Sequence, residues 1–203
     1  PFHPLEIAGD ISLPELPMAK RERFLSEYGF SYADAKLLTD DKPWANFAEA
    51  VMSELVNWLY ALPEVKGDSD EIKEQKKQKI ARLAGGWMTS KLLGAMSDRH
   101  LDIRRLQISA ENFAEFVALI YAERINSTNA QKLLQDMLDA GTDIDPTHVM
   151  EEKGYGQIRD EGALKKIVDQ VIADHPKQVE EFKAGKEPVL KFLVGMGMKA
   201  SEG

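Results

Sequence analysis

Apolar positions recur at helical spacing along most of the chain, and short polar clusters punctuate them. Near the end, Val189, Phe192, Leu193, Met196 and Ala200 fall at i, i+3, i+4, i+7 and i+11, one face of a helix. Leu190 and Val194 add a second apolar stripe, so the pattern predicts a final helix buried round most of its circumference. Its predecessors are marked by caps and breakers. Asp160 caps one helix with Glu161 in its first turn, Pro176 opens the next, Gly185 closes it, and Pro188 opens the last. A terminal helix of this kind needs others packed around it, so 160–203 reads as a small closed helical domain.

Upstream, Pro1, Pro4, Pro14 and Pro17 with Gly9 argue against a regular helix over 1–17, because proline fixes φ and removes a donor. This stretch reads as an extended linker arm whose Leu5, Ile7, Ile11, Leu13 and Leu16 pack on a surface. A helix follows from about Met18 to Tyr28 and stops at Gly29. Ser31 caps the next, Tyr32 to Leu38, with Asp34 at the third position of a capping box. Pro43 opens a long helix on which Trp44, Phe47, Val51, Leu55, Trp58 and Leu62 share a face. Residues 63–79 are almost without apolar side chains, which predicts a mobile excursion or a solvated start to the helix that follows. That helix runs from about Ile80 to Ser97, with Gly85 and Gly86 marking a kink or a close helix contact. Ser109 caps a helix over 110–125. Asn126 to Asn129, polar residues between two strong helices, mark the expected domain boundary. A helix over 130–140 ends at Gly141, and Asp145-Pro146 starts a short one through Lys153. No alternation is long enough for a sheet. The expected class is all-α, with a linker arm over 1–17, a helical domain over 18–126 and a tail domain over 127–203.

Composition narrows the function classes. The 203 residues are 43% hydrophobic and 30% charged, enough for helical cores, and the net charge is -8. The chain as a whole is therefore not a basic nucleic-acid binder, and any such contact must come from a local patch. Without cysteine there is neither a disulfide nor a thiolate metal site, which suits the cytoplasm. No apolar run approaches the roughly 18 residues of a membrane span. The start, Pro-Phe-His-Pro, predicts an excised fragment of a longer chain.

Catalytic chemistry finds little support. The histidines, His3, His100, His148 and His175, do not pair at metal-ligand spacing, and His148 with Glu151 or Glu152 reads as a solvated helix face. No serine sits in a nucleophile context. Gly195 and Gly197 lie inside a helix rather than after a strand, so they are no dinucleotide loop; they serve tight packing or a close backbone approach to RNA or a partner helix. Trp44, Trp58 and Trp87 read as core. From residue 157 onward, however, lysines accumulate: Lys165, Lys166, Lys177, Lys183, Lys186, Lys191 and Lys199, beside Arg159. Helices can gather such residues into a patch that holds phosphates, a contact that gives affinity without sequence reading. A-form RNA is recognised largely this way, through shape and backbone. An ordinary soluble surface has the same composition.

Several phrases carry a family resemblance. The runs EEKGYGQIRDEG, ADHPKQVEEFKAGKE and FLVGMGMKAS resemble the tail domain of the B subunit family of aspartyl/glutamyl-tRNA amidotransferases, which ends close to E-N-P-K-x-V-x-x-Y-x-x-G-K-x-x-x-x-x-F-L-V-G-x-x-M-K. His175 replaces the usual Asn, Phe182 replaces Tyr, and Gly197 stands where a bulkier residue is usual. LPELPMAKRERF and EYGFSYADAKLLTDD are similar to the same family, with Ala33 at a position more often acidic or polar. The tail fold also occurs in small free-standing proteins. The resemblance implies an enzyme that converts Glu-tRNA(Gln) or Asp-tRNA(Asn) to the amide form with ATP and glutamine-derived ammonia. It further implies two partners, the amidase (A) subunit of the same enzyme and its small (C) subunit. ATP and magnesium are then held in a catalytic domain outside this stretch. The chain itself is expected to hold no cofactor, no metal and no catalytic residue, and to dock tRNA through its tail. The seven lysines above are candidates from charge and position, not from the resemblance. The alternatives are a helical protein-interaction module sharing only the tail fold, or a free-standing enzyme with a buried polar cluster.

Overall fold

The computed structural model describes residues 15–157 and 161–201. Helices make up most of them, and among them no strand forms; an antiparallel bridge between Ile125 and Gly156 stands alone. Residues 1–14 of the expected arm over 1–17, and the Asp160 cap, lie outside the described residues. Two compact units divide the chain, Pro1–Leu106 and Gln107–Gly203.

In the first unit, α1 (Pro17–Glu27), α2 (Tyr32–Thr39), α3 (Lys42–Ala61) and α4 (Asp70–Gly86) pack in sequence order. Gly29, at φ 64°, makes the reversal from α1 to α2. That turn brings Phe24, Tyr28 and Phe30 together with ring centroids 5.1–5.7 Å apart. The Ser31 cap forms as expected: its side chain accepts from Asp34 N at 3.1 Å. Lys20 Nζ bonds Glu49 Oε2 at 2.6 Å, and the Arg23 guanidinium bridges Glu15 and Glu49, tying α1 to α3. The Arg23 hydrogen bond holds the Glu15 carboxyl below the usual range. Burial pushes the Glu49 carboxyl up, but Lys20 and Arg23 outweigh it and hold that group low as well.

The charged stretch 63–79 resolves into a solvated helix start. Pro63–Val65 form one 3-10 turn with Val65 buried, and Ser69 caps α4 ten residues ahead of its expected start at Ile80. Of the glycine pair within α4, Gly85 serves a close contact and Gly86 does not. A Cβ on Gly85 would stand 3.0 Å from the Phe30 ring. A π-helical turn, Trp87–Leu92, follows at once and leads into α5 (Leu93–Asp98). Hydroxyls of Thr89 and Ser90 reach back to the carbonyls of Gly85 and Gly86, at 2.9 and 2.5 Å, and so compete with the helical ladder there.

In the second unit, α6 (Ala110–Tyr121) packs against α7 (Ser127–Asp139) and α8 (Pro146–Glu152). Phe113 and Phe116 of α6 are fully buried. The division between units falls before α6. The polar residues 126–129 have local work. Asn126 caps α7 by accepting from Asn129 N at 2.8 Å, and the buried Asn129 amide donates to Tyr155 O at 3.2 Å. Asp145 caps α8 as its Asp-Pro sequence predicts, accepting from His148 N at 2.8 Å. One carboxylate is buried here: Glu115 of α6 accepts from Thr147 Oγ1 of α8 at 2.5 Å.

The tail helices α9 (Glu161–Asp174), α10 (Pro176–Lys183) and α11 (Pro188–Ala200) pack on one another. Pro176 and Pro188 open α10 and α11 as expected. Gly185, at φ 93°, allows the turn between them. The expectation of a closed domain around a buried last helix is corrected. No residue of α11 is buried, and Phe192, Val194 and Met198 are 46%, 53% and 58% exposed. Three short helices supply too little apolar surface to surround α11, so its stripes are covered on one side and open on the other.

Candidate nucleic-acid interface

All seven lysines singled out from the sequence lie on the tail and are exposed. Lys165 and Lys166 stand on α9, Lys177 and Lys183 on α10, Lys186 in the turn after Gly185, and Lys191 and Lys199 on α11. Helical geometry spreads them. Lys191 follows Leu190 by about 100° round the axis, whereas Lys199 lies about 180° from it. Lys165 and Lys166 stand about 100° and 200° from Leu164, and Lys177 and Lys183 are about 120° apart on α10. The lysines therefore turn to different sides of their own helices.

Their partners are weak. Lys186 pairs with Glu181 at 3.5 Å, with the two side chains 65% and 49% exposed, a geometry worth little in water. Asp169, Asp174, Glu180, Glu181 and Glu187 are interspersed and exposed. Among the described residues no group of three or more His, Asp or Glu could hold a metal ion. His148 is exposed on α8, Trp44 and Trp87 are buried in the first unit, and Trp58 is half-buried. Among the described residues no helix is long and apolar enough to cross a membrane.

Between the tail helices lies a groove of about 560 Å³ that the sequence reading missed. Its walls are Leu164, Val168 and Ile172 of α9 and Leu190, Val194 and Met198 of α11, with Lys183 of α10 at its edge. The signal was present as apolar periodicity, but periodicity marks which side chains share a face and does not say whether anything covers that face. Gly197 lines the groove, and neither it nor Gly195 has a neighbour within 4 Å of an added Cβ. Tight internal packing is therefore not what requires glycine there.

The described domain can be set beside known proteins. A family model described as the GatB domain matches residues 70–203. The chain is 33% identical over 206 aligned positions to the B subunit of the aspartyl/glutamyl-tRNA(Asn/Gln) amidotransferase of Synechococcus sp. (strain CC9605), covering 98% of this chain and 37% of that relative. It is 34% identical to the protein of the same name from Geobacillus thermodenitrificans and 35% identical to that from Clostridium beijerinckii, covering 95% of this chain and 35% of each relative. The chain thus spans little more than a third of the length of these relatives. The match across 70–203, on an all-α fold, shows that this chain belongs to the GatB domain family, that of the amidotransferase B subunit.

Proposed function

We propose that this chain is the noncatalytic, tRNA-docking region of an amidotransferase B subunit. In the whole enzyme, Glu-tRNA(Gln) or Asp-tRNA(Asn) is converted to Gln-tRNA(Gln) or Asn-tRNA(Asn) with ATP. Activation and amide transfer, with their ATP and magnesium, belong to a part of the protein beyond this stretch. Its partners are the amidase (A) subunit of the same enzyme and its small (C) subunit, and the setting is the cytoplasm. The observation that carries this reading is the set of exposed tail lysines, Lys165, Lys166, Lys177, Lys183, Lys186, Lys191 and Lys199, in a chain of net charge -8. A knob with cations on each of its helices can engage the phosphates of a folded RNA, and such contacts need shape and charge but no base reading. The helical unit before the tail serves as spacer and second contact surface. By itself the chain has no transamidase activity.

The test is binding of a tRNA(Gln) or tRNA(Asn) transcript over a salt series, with and without Lys186, Lys191 and Lys199 replaced by Ala. Docking through the tail requires binding that weakens with salt and weakens further in the variant. Unchanged binding in the variant moves the patch to the other lysines, and no binding at low salt removes the docking role from this chain.

A further inference from the structure

The two walls of the tail groove carry matching spacing. Leu164, Val168 and Ile172 stand at i, i+4 and i+8 on α9, and Leu190, Val194 and Met198 stand at i, i+4 and i+8 on α11. All six line the groove, and each is 37–58% exposed. Val179 and Phe182 of α10 complete the lining on a third side. Along each wall the members of a stripe stand about 6 Å apart, so each wall repeats over about 12 Å, or two helical turns. That repeat accepts side chains of the same spacing on an incoming helix, the recognition mode in which an amphipathic helix lays its apolar face into a groove.

Other occupants fit less well. RNA bases bind such surfaces by stacking on aromatic rings, and Phe182 is the one aromatic residue of the lining among the described residues. In a two-fold pair the same patch meets itself; two concave grooves leave each other unfilled, and each copy brings a net charge of -8. Charge narrows the occupant further. Lys183 is the one charged lining residue among those described, and Lys165 and Lys191 directly follow the first residue of each stripe. From Leu164 to Ser201 seven lysines face five acids, Asp169, Asp174, Glu180, Glu181 and Glu187, a balance of +2 within a chain of -8.

We infer that the α9–α11 groove is a docking slot for a single amphipathic helix of a partner protein. That helix carries large apolar side chains at i, i+4 and i+8, with acidic residues beside them that meet Lys165, Lys183 and Lys191. The slot shares Lys165, Lys183 and Lys191 with the proposed phosphate contacts, but its apolar walls do not depend on the tRNA reading.

The probe is a synthetic Ala/Glu helix of about five turns with leucine at i, i+4 and i+8, set beside a peptide of the same composition with its leucines dispersed round the axis. Binding to the full chain is followed by calorimetry and by methyl NMR. The ordered peptide is expected to bind, to shift the methyls of Val168, Val194 and Met198, and to lose at least about tenfold in affinity with Val168→Glu or Val194→Glu. Those side chains are 51% and 53% exposed, so the fold should survive, as circular dichroism would verify. Methyl mapping on the unsubstituted chain decides the matter if a variant does not fold. Equal binding of the dispersed peptide, or methyl shifts elsewhere, overturns the slot. So does a dimer that Val194→Glu dissolves, which assigns the groove to a second copy. Loss of tRNA binding with peptide binding unchanged in the same variants assigns it to RNA and likewise overturns the proposal.

Discussion

Single side chains set the local limits of this fold. Gly85 and Gly86 are adjacent in sequence and opposite in consequence. A Cβ at Gly85 meets the Phe30 ring at 3.0 Å, whereas one at Gly86 meets nothing within 4 Å. Gly85→Val should therefore destabilise the chain by about 1–3 kcal/mol through overpacking. Gly86→Ala, at helical φ and ψ, should stabilise it by about 0.5–1 kcal/mol; urea unfolding of both variants checks the contrast. Glu115 provides a second case. Burial, opposed by the Thr147 hydrogen bond and reinforced by the charges of Asp145 and Glu111, raises its carboxyl above the ordinary range. A carboxylate with a raised folded pKa costs stability when ionised and regains it as pH falls through that pKa. Glu115→Gln, which keeps an acceptor for Thr147, should thus raise the melting temperature at pH 7. The advantage over the unsubstituted chain should shrink as pH is lowered towards the ordinary carboxylate range.

At the scale of elements, α1 and α3 are joined by charge as well as by apolar packing. Glu49 receives Lys20 and Arg23 from α1, and its carboxyl is held low despite burial. Here the sign is reversed: the pair contributes stability above the unfolded pKa and loses it as pH falls through the folded one. Glu49→Gln should cost about 1–3 kcal/mol at pH 7, with the difference vanishing in acid, as thermal unfolding at several pH values would reveal. Caps behave more simply. Asn126→Ala removes the acceptor for Asn129 N and should cost about 1 kcal/mol. Most of these elements were legible in the sequence. Ser31, Ser109 and Asp145 each cap the helix they were expected to cap, because an N-cap needs only a side-chain oxygen and a donor three residues away. The start of α4 was less legible. Its first turns carry few apolar residues, yet Ser69 and the acids Asp70 and Glu71 make a good helix start, and local capping prevailed over poor hydrophobic patterning.

At the scale of the whole molecule, charge separates the tail from the rest. A chain of net charge -8 does not attract RNA as a body, so the proposed tRNA contact would rest on the tail lysines. Removing one phosphate-binding lysine should lower the slope of log affinity against log salt by about one, so the triple variant at Lys186, Lys191 and Lys199 should lose up to about three. The lysines themselves could be named from the sequence, but their distribution could not. Residues that are close in sequence, such as Lys165 and Lys166, turn to different sides of their helix, and those on α10 and α11 are placed by the turn at Gly185.

The sequence by itself determined the helical class and the positions of most helix ends, and its phrases pointed to the family. The class and the helix ends follow from short-range causes: side-chain caps, proline at first turns and apolar spacing. Tertiary structure alone decided three further matters. It placed the unit division before α6, because the buried face of that helix, with Phe113 and Phe116, packs with α7 and α8. It gave Gly85 its purpose, because Phe30 arrives from a distant turn. It left the stripes of α9 and α11 open to one groove, because apolar spacing defines a face, while burial depends on whether another element comes to cover it.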